Sequence, residues 1–127
     1  MVAREDTKGF EQLEAWKHAI NLAVDIYKLT STFPKSELYA LTSQMRRAVS
    51  SISANLAEGY GRHGYKEKLQ FYKIANGSLL EVKSFSYLAA RLGYVSNDNL
   101  DELLLAFTSL QKLINALIRS IRNKNEI

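Results

Sequence analysis

The chain has 127 residues, 46% of them hydrophobic and 24% charged, with a formal charge of +4 and a pI near 9.3. That length suits one domain with one core, and the apolar fraction excludes an intrinsically disordered chain. The absence of cysteine excludes disulfides and thiolate metal sites, no run approaches the ~20 apolar residues of a membrane span, and a single proline argues against a mostly-β domain.

The charged N-terminus lacks an apolar segment and is not expected to be a signal peptide, and the missing cysteines fit a reducing cytoplasm. Residues 1–10 read as a loose lead-in, 11–123 as the folded unit and 124–127 as a tail. In the first segment Leu13, Trp16, Ile20, Ala23, Val24 and Tyr27 recur at helical spacing. Thr30 to Thr32 weaken that helix, and Phe33-Pro34 ends it. A second helix is expected from about Ser36 to Glu58, with Leu38, Leu41, Met45, Ala48, Ile52 and Leu56 inward, stopped by Gly59, Gly61 and Gly64. The third runs from about Tyr65 to Leu92 on Phe71, Ile74, Ala75, Val82, Phe85, Ala89 and Leu92, with Gly93 in a left-handed cap. Ser96, Asn97 and Asp98 offer the fourth helix its N-cap, and Arg119, Arg122 and Lys124 close it with the sign its dipole favours. Its inward stripe runs from Leu100 to Ile121. Four helices joined by short loops predict an all-α, up-and-down antiparallel four-helix bundle.

Two helix faces exceed what a core needs. On the second helix Gln44, Arg47, Ser51, Asn55, Glu58 and Arg62 fall within one arc of roughly 80°. Either this is a solvated face, or it is a half-buried polar network in which Arg47 and Glu58 satisfy each other, extended by Ser78 and Glu81. Ser51 and Asn55 are poor helix formers for an exposed face, which favours the network. On the third helix Tyr65, Leu69, Tyr72, Leu80 and Tyr87 form a second apolar set. A monomeric bundle needs one apolar face per helix, so this set is expected to meet another subunit. Gly77 and Ser78, small and mid-helix, predict close helix approach there.

Catalytic and cofactor signals are missing. His18 and His63 are the only histidines and have no partner at a metal-ligand spacing. Gly59-Tyr60-Gly61-Arg62 follows no strand and is not a phosphate loop. No serine or threonine has a base arrangement suited to nucleophilic attack, and a Glu58 and Glu81 pair alone is weak ground for acid–base chemistry. No cofactor, no metal and no enzyme activity is expected. Basic residues instead gather near the second loop: Arg62, Lys66, Lys68 and Lys73, with Arg46 and Arg47 further up the second helix. Such side chains contact phosphates, and the interleaved Tyr60, Tyr65 and Tyr72 suit stacking on unpaired bases.

The stretch from Phe33-Pro34 through Tyr39-Ala40-Leu41-Thr42-Ser43-Gln44-Met45-Arg46-Arg47-Ala48 continues as Ser51-Ile52-Ser53-Ala54-Asn55-Leu56-Ala57-Glu58-Gly59-Tyr60-Gly61-Arg62. With Ile74-Ala75-Asn76-Gly77-Ser78, Glu81 and Leu92-Gly93-Tyr94, it resembles the four-helix-bundle family named for proteins encoded within intervening sequences of bacterial 23S ribosomal RNA, also called S23-like. The resemblance covers roughly residues 10 to 122. It implies a four-helix bundle assembled as a ring-like homopentamer. It also implies kinship with the accessory protein of diversity-generating retroelements, which binds a reverse transcriptase and nucleic acid through a basic surface. The expected function is a non-enzymatic, cytoplasmic, homo-oligomeric bundle that binds RNA or other nucleic acid through Arg46, Arg47, Arg62, Lys66, Lys68 and Lys73. The alternative is an oligomeric scaffold for a protein partner without nucleic acid. No membrane partner is expected in either.

Overall fold

The computed structural model describes residues 9–124, so most of the expected lead-in (1–8) and tail (125–127) lies outside the described residues. A 3₁₀ turn at Phe10–Gln12 precedes α1 (Glu14–Thr30). A 3₁₀ turn at Lys35–Glu37 and a wide π-type turn at Leu38–Thr42 lead into α2 (Ser43–Gly61). Then follow α3 (Tyr65–Arg91) and α4 (Asn97–Lys124). The helices pack in sequential antiparallel order, and α1 closes the bundle against α4. Side-chain pairs fix the registers: Thr30 and Tyr27 meet Arg46, Ser51 meets Ser78, and Asn76 meets Asn115. No helix among the described residues is long and apolar enough to cross a membrane.

The core is one apolar cluster drawn from all four helices, including Ile26, Met45, Ile52, Leu56, Leu79, Phe107 and Ile114. The second helix buries its expected stripe except for Leu38, which is exposed, and the fourth buries Leu103, Phe107, Leu110, Ile114 and Ile118 with Leu100, Leu104, Leu117 and Ile121 half-buried beside them. The first helix does not. Its buried line is Ala15, Ala19, Leu22, Ile26 and Thr30, while Leu13, Trp16, Ile20 and Ala23 lie at its margin and Val24 and Tyr27 are exposed. Two alanines let the backbones approach, so the small residues take the centre and the large ones flank it. Trp16 then packs edge-on against Phe10, with ring centroids 5.1 Å apart. On α3, Ile74 and Leu92 are likewise exposed rather than buried.

Both ends of α2 depart from expectation. Its regular hydrogen bonding starts at Ser43, well after Ser36, because Ala40 leaves the helical region (φ −121°, ψ −106°). Glu37 makes that detour possible. Its carboxylate accepts from the Leu41 amide at 3.3 Å and from the Tyr94 hydroxyl at 2.9 Å, replacing a missing helical carbonyl. At the other end Gly59 does not stop the helix, which continues to Gly61. Gly59 is needed by packing: a Cβ there would lie 2.6 Å from Cε1 of Tyr72. Gly93 adopts the left-handed conformation expected of it (φ +83°), and Ser96 accepts from the Asn99 amide to cap α4.

Candidate nucleic-acid interface at one pole of the bundle

The six expected phosphate contacts separate into two groups. Arg46 is engaged in the fold. Its Nε donates to Thr30 Oγ1 at 2.9 Å and its Nη2 to the Tyr27 carbonyl at 3.3 Å, with the guanidinium 4.9 Å from the Tyr27 ring centroid. It thereby satisfies the C-terminal end of α1, where a cation is favoured. Lys68 does the same for α2, donating to the carbonyls of Tyr60 at 2.7 Å and Gly59 at 3.2 Å. Burial among these groups lowers the Lys68 pKa. Arg62 pairs with Glu58 at 2.9 Å and lies over Phe71 at 4.9 Å. Arg47, Lys66 and Lys73 are exposed and make no side-chain hydrogen bond or ion pair among the described residues.

Arg47 also lies apart from the rest. It sits roughly 22 Å along α2 from Arg62, at 1.5 Å per residue, and the Ser51–Ser78 contact sets it level with Val82. Three cations that the residue pattern assigned only to a helix end take its place. With Asn76 against Asn115, antiparallel register sets Arg119, Arg122 and Lys124 level with Tyr72, Leu69 and Glu67. Arg119 and Arg122 follow Asn115 by four and seven residues, so they share its α3-facing edge. Tyr65, Leu69 and Lys73 precede Asn76 by eleven, seven and three residues and run along the matching edge of α3. Arg119, Arg122 and Lys124 are exposed and, like Lys66 and Lys73, make no ion pair among the described residues. This pole therefore gathers Arg62, Lys66, Lys68, Lys73, Arg119, Arg122 and Lys124. Glu58 there is matched by Arg62, and Glu67 is the nearby carboxylate on α3.

The polar stripe of α2 is half network and half solvated face. Asn55 Nδ2 donates to the Ser51 carbonyl at 2.8 Å and to Ser51 Oγ at 2.9 Å, and Ser78 Oγ donates to Ser51 Oγ at 2.9 Å. These three side chains link α2 to α3. Gln44, Arg47, Glu58 and Glu81 are exposed, and the expected Arg47–Glu58 pair does not form: the two lie about 16 Å apart along one helix, out of reach of each other, and Glu58 pairs with its i+4 neighbour Arg62 instead. Glu58 lines a surface recess with Phe10, Ala54, Ala57, Gly61 and Arg62, and Glu81 is not part of it. A second recess, between α1 and α4, has Asp25, Lys28 and Glu102 on its walls. No group of three or more metal-ligating side chains occurs among the described residues.

The apolar set assigned to a subunit interface also divides. Tyr72 does not belong to it, being 1% exposed in the core. Its ring occupies the space that Gly59 leaves open, and burial, aided by Tyr60, pushes its pKa up to about 12. Leu69 is half-buried, while Tyr65, Leu80 and Tyr87 are exposed. The expected close approach at Gly77 is not made within the chain, since a Cβ there would meet nothing within 4 Å. Ser78, one residue on, faces α2 and is buried.

Comparison with known proteins agrees with this architecture. A crystal structure of a protein of unknown function from the S23 ribosomal protein family of Bacteroides thetaiotaomicron superposes with a TM-score of 0.77 at 20% identity, covering 83% of this chain and 95% of that one. At that identity the likeness shows the fold alone. A search of curated proteins found no match. The family profile described as 23S rRNA-intervening sequence protein matches residues 11–116, and the chain belongs to that family.

Proposed function

We propose that this protein is a non-enzymatic, self-associating bundle that binds RNA through phosphate contacts at its basic pole. The observation that carries the reading is convergence. Lys66 and Lys73 on α3 and Arg119, Arg122 and Lys124 on α4 come from distant parts of the chain to one end, exposed and outside the ion pairs of the fold. Cations that cap nothing and pair with nothing leave a local excess of positive potential, and each phosphate they neutralise releases counterions. Lys68 holds a helix end at this pole and contributes to that field without being free to follow a ligand, while Arg46 holds one at the opposite end of the bundle.

Self-association is supported by the outer face of α3. Leu80, Tyr87 and Leu88 are each about half exposed there, beside the open space over Gly77. Apolar area of this kind on one helix is what a subunit contact would cover. The family resemblance implies five copies, which from +4 each would carry about +20. The same face supports a second reading, a cytoplasmic scaffold that holds a protein partner and no nucleic acid.

The test is a salt titration of binding to structured ribosomal RNA fragments and unrelated RNA, with particle mass read by light scattering in the same buffers. Binding that weakens steeply with salt, by an oligomer, is the expected result. An intact oligomer that fails to bind RNA at low salt would eliminate the nucleic-acid reading and leave the scaffold.

A further inference from the structure

Two tyrosine rings stand among the cations of the basic pole. Tyr60 and Tyr65 are 39% and 38% exposed, on either side of the Arg62-His63-Gly64 turn, and neither joins the core cluster. Tyr72, the third tyrosine of this segment, is the one the core absorbs. Tyr65 lies on the α4-facing edge of α3, in line with Leu69 and Lys73 and about one turn beyond the level of Arg122. Tyr60 is steadied by Lys68, whose ammonium is 5.4 Å from the ring centroid while it holds the Tyr60 and Gly59 carbonyls. The rings are thus placed by rigid helix ends, next to cations outside the fold's ion pairs.

Phosphate contacts alone explain none of this. Lysine and arginine grip a backbone without help from aromatic rings, and a duplex keeps its base faces stacked out of reach. An unpaired nucleotide offers a base face and a phosphate together, which is what alternating rings and cations can hold. We propose that the pole takes single-stranded RNA, with Tyr65 and Tyr60 stacking on bases while Lys66, Lys73, Arg119 and Arg122 contact the phosphates. This inference rests on the reading of the pole as an RNA surface and specifies which form of RNA it selects.

The experiment compares fluorescein-labelled oligoadenylate with an RNA duplex of equal length by anisotropy, for wild type, Tyr65→Ala, Tyr60→Ala and Tyr65→Phe. Circular dichroism and light scattering confirm the fold and mass of each variant. Wild type should bind the single strand more tightly than the duplex, although the duplex carries twice the phosphates. Tyr65→Ala should lose about 5- to 150-fold on the single strand, the range expected for one stacked base. Tyr65→Phe should retain binding, because the ring and not the hydroxyl stacks. Duplex affinity should not change. Equal losses on strand and duplex, no loss in either alanine variant, or a fall in particle mass on Tyr65→Ala would overturn the stacking assignment while salt-dependent binding kept the phosphate reading intact. Failure of wild type to bind either RNA would overturn both.

Discussion

At one end of the bundle the two longer connections are stitched to each other. Phe33 and Tyr94 pack with centroids 5.3 Å apart, and the Tyr94 hydroxyl donates to Glu37, which in turn caps the irregular start of α2. Carboxylates at Asp25, Asp98, Asp101 and Glu102 there stand among Lys28, Arg46 and Arg91. The opposite end has one tight turn, two helix termini and a majority of cations. At the stitched end side-chain chemistry closes the fold. At the basic end much of it closes nothing. A cation engaged by the fold and a cation left over look alike in sequence, and only the register separates Arg46 and Lys68 from Lys66 and Arg119.

That contrast can be broken or sharpened by mutation. The largest effect should come from Tyr72→Ala, which empties the core beneath the basic end and should cost about 3 to 5 kcal/mol in denaturant unfolding. Tyr72 also sets a pH signature. Its phenol, near 10 when unfolded, is pushed up to about 12 in the fold. The native state holds that proton more tightly, so the Tyr72 contribution to stability should be fully present below pH 10 and be lost as pH rises toward 12. Tyr72→Phe should flatten that loss.

Gly59→Ala should cost about 1 to 3 kcal/mol, since its Cβ strikes the buried Tyr72 ring. Gly77→Ala, in open space at mid-helix, should instead stabilise the folded chain by about 0.5 to 1 kcal/mol. Opposite signs from two glycines, read in one thermal melt series, would confirm that only one of them is required by packing within the chain. Smaller still is the stitched end. Arg46→Ala and Tyr94→Phe each remove hydrogen bonds and should cost about 1 kcal/mol, with RNA affinity unchanged. A marked loss of binding in Tyr94→Phe would mean that the two ends are not independent.

Much of the fold was legible from the residues. Helix number, order, the Gly93 cap and the inward faces of α2 and α4 follow from periodicity and breaker residues. The first helix misled because its largest apolar residues flank the contact while Ala15 and Ala19 fill it; periodicity measures hydrophobicity, and close packing here selects small size. Gly59 misled because a glycine signals a helix stop or a helix contact with equal force until the facing ring, Tyr72, is known. The basic pole was half legible. Lys66 and Lys73 were visible as a local cluster. Arg119, Arg122 and Lys124 joined them only through topology, although an up-and-down order already returns the end of α4 to the turn between α2 and α3. The engaged roles of Arg46 and Lys68 depend on carbonyls presented by helix ends, which carry no sequence signal.

The central claim is that cations left over by the fold, at one end, bind the phosphates. Its most direct test sets two triple variants of equal charge loss beside wild type in an RNA-binding salt series. Lys66→Ala/Arg119→Ala/Arg122→Ala alters the basic end, and Lys28→Ala/Arg47→Ala/Arg91→Ala alters the stitched end. The first should flatten the slope of log affinity against log salt by about 2 to 3, and the second should leave the slope near that of wild type. Equal flattening in both would show that net charge alone governs binding, and the assignment of an interface to one end would be wrong.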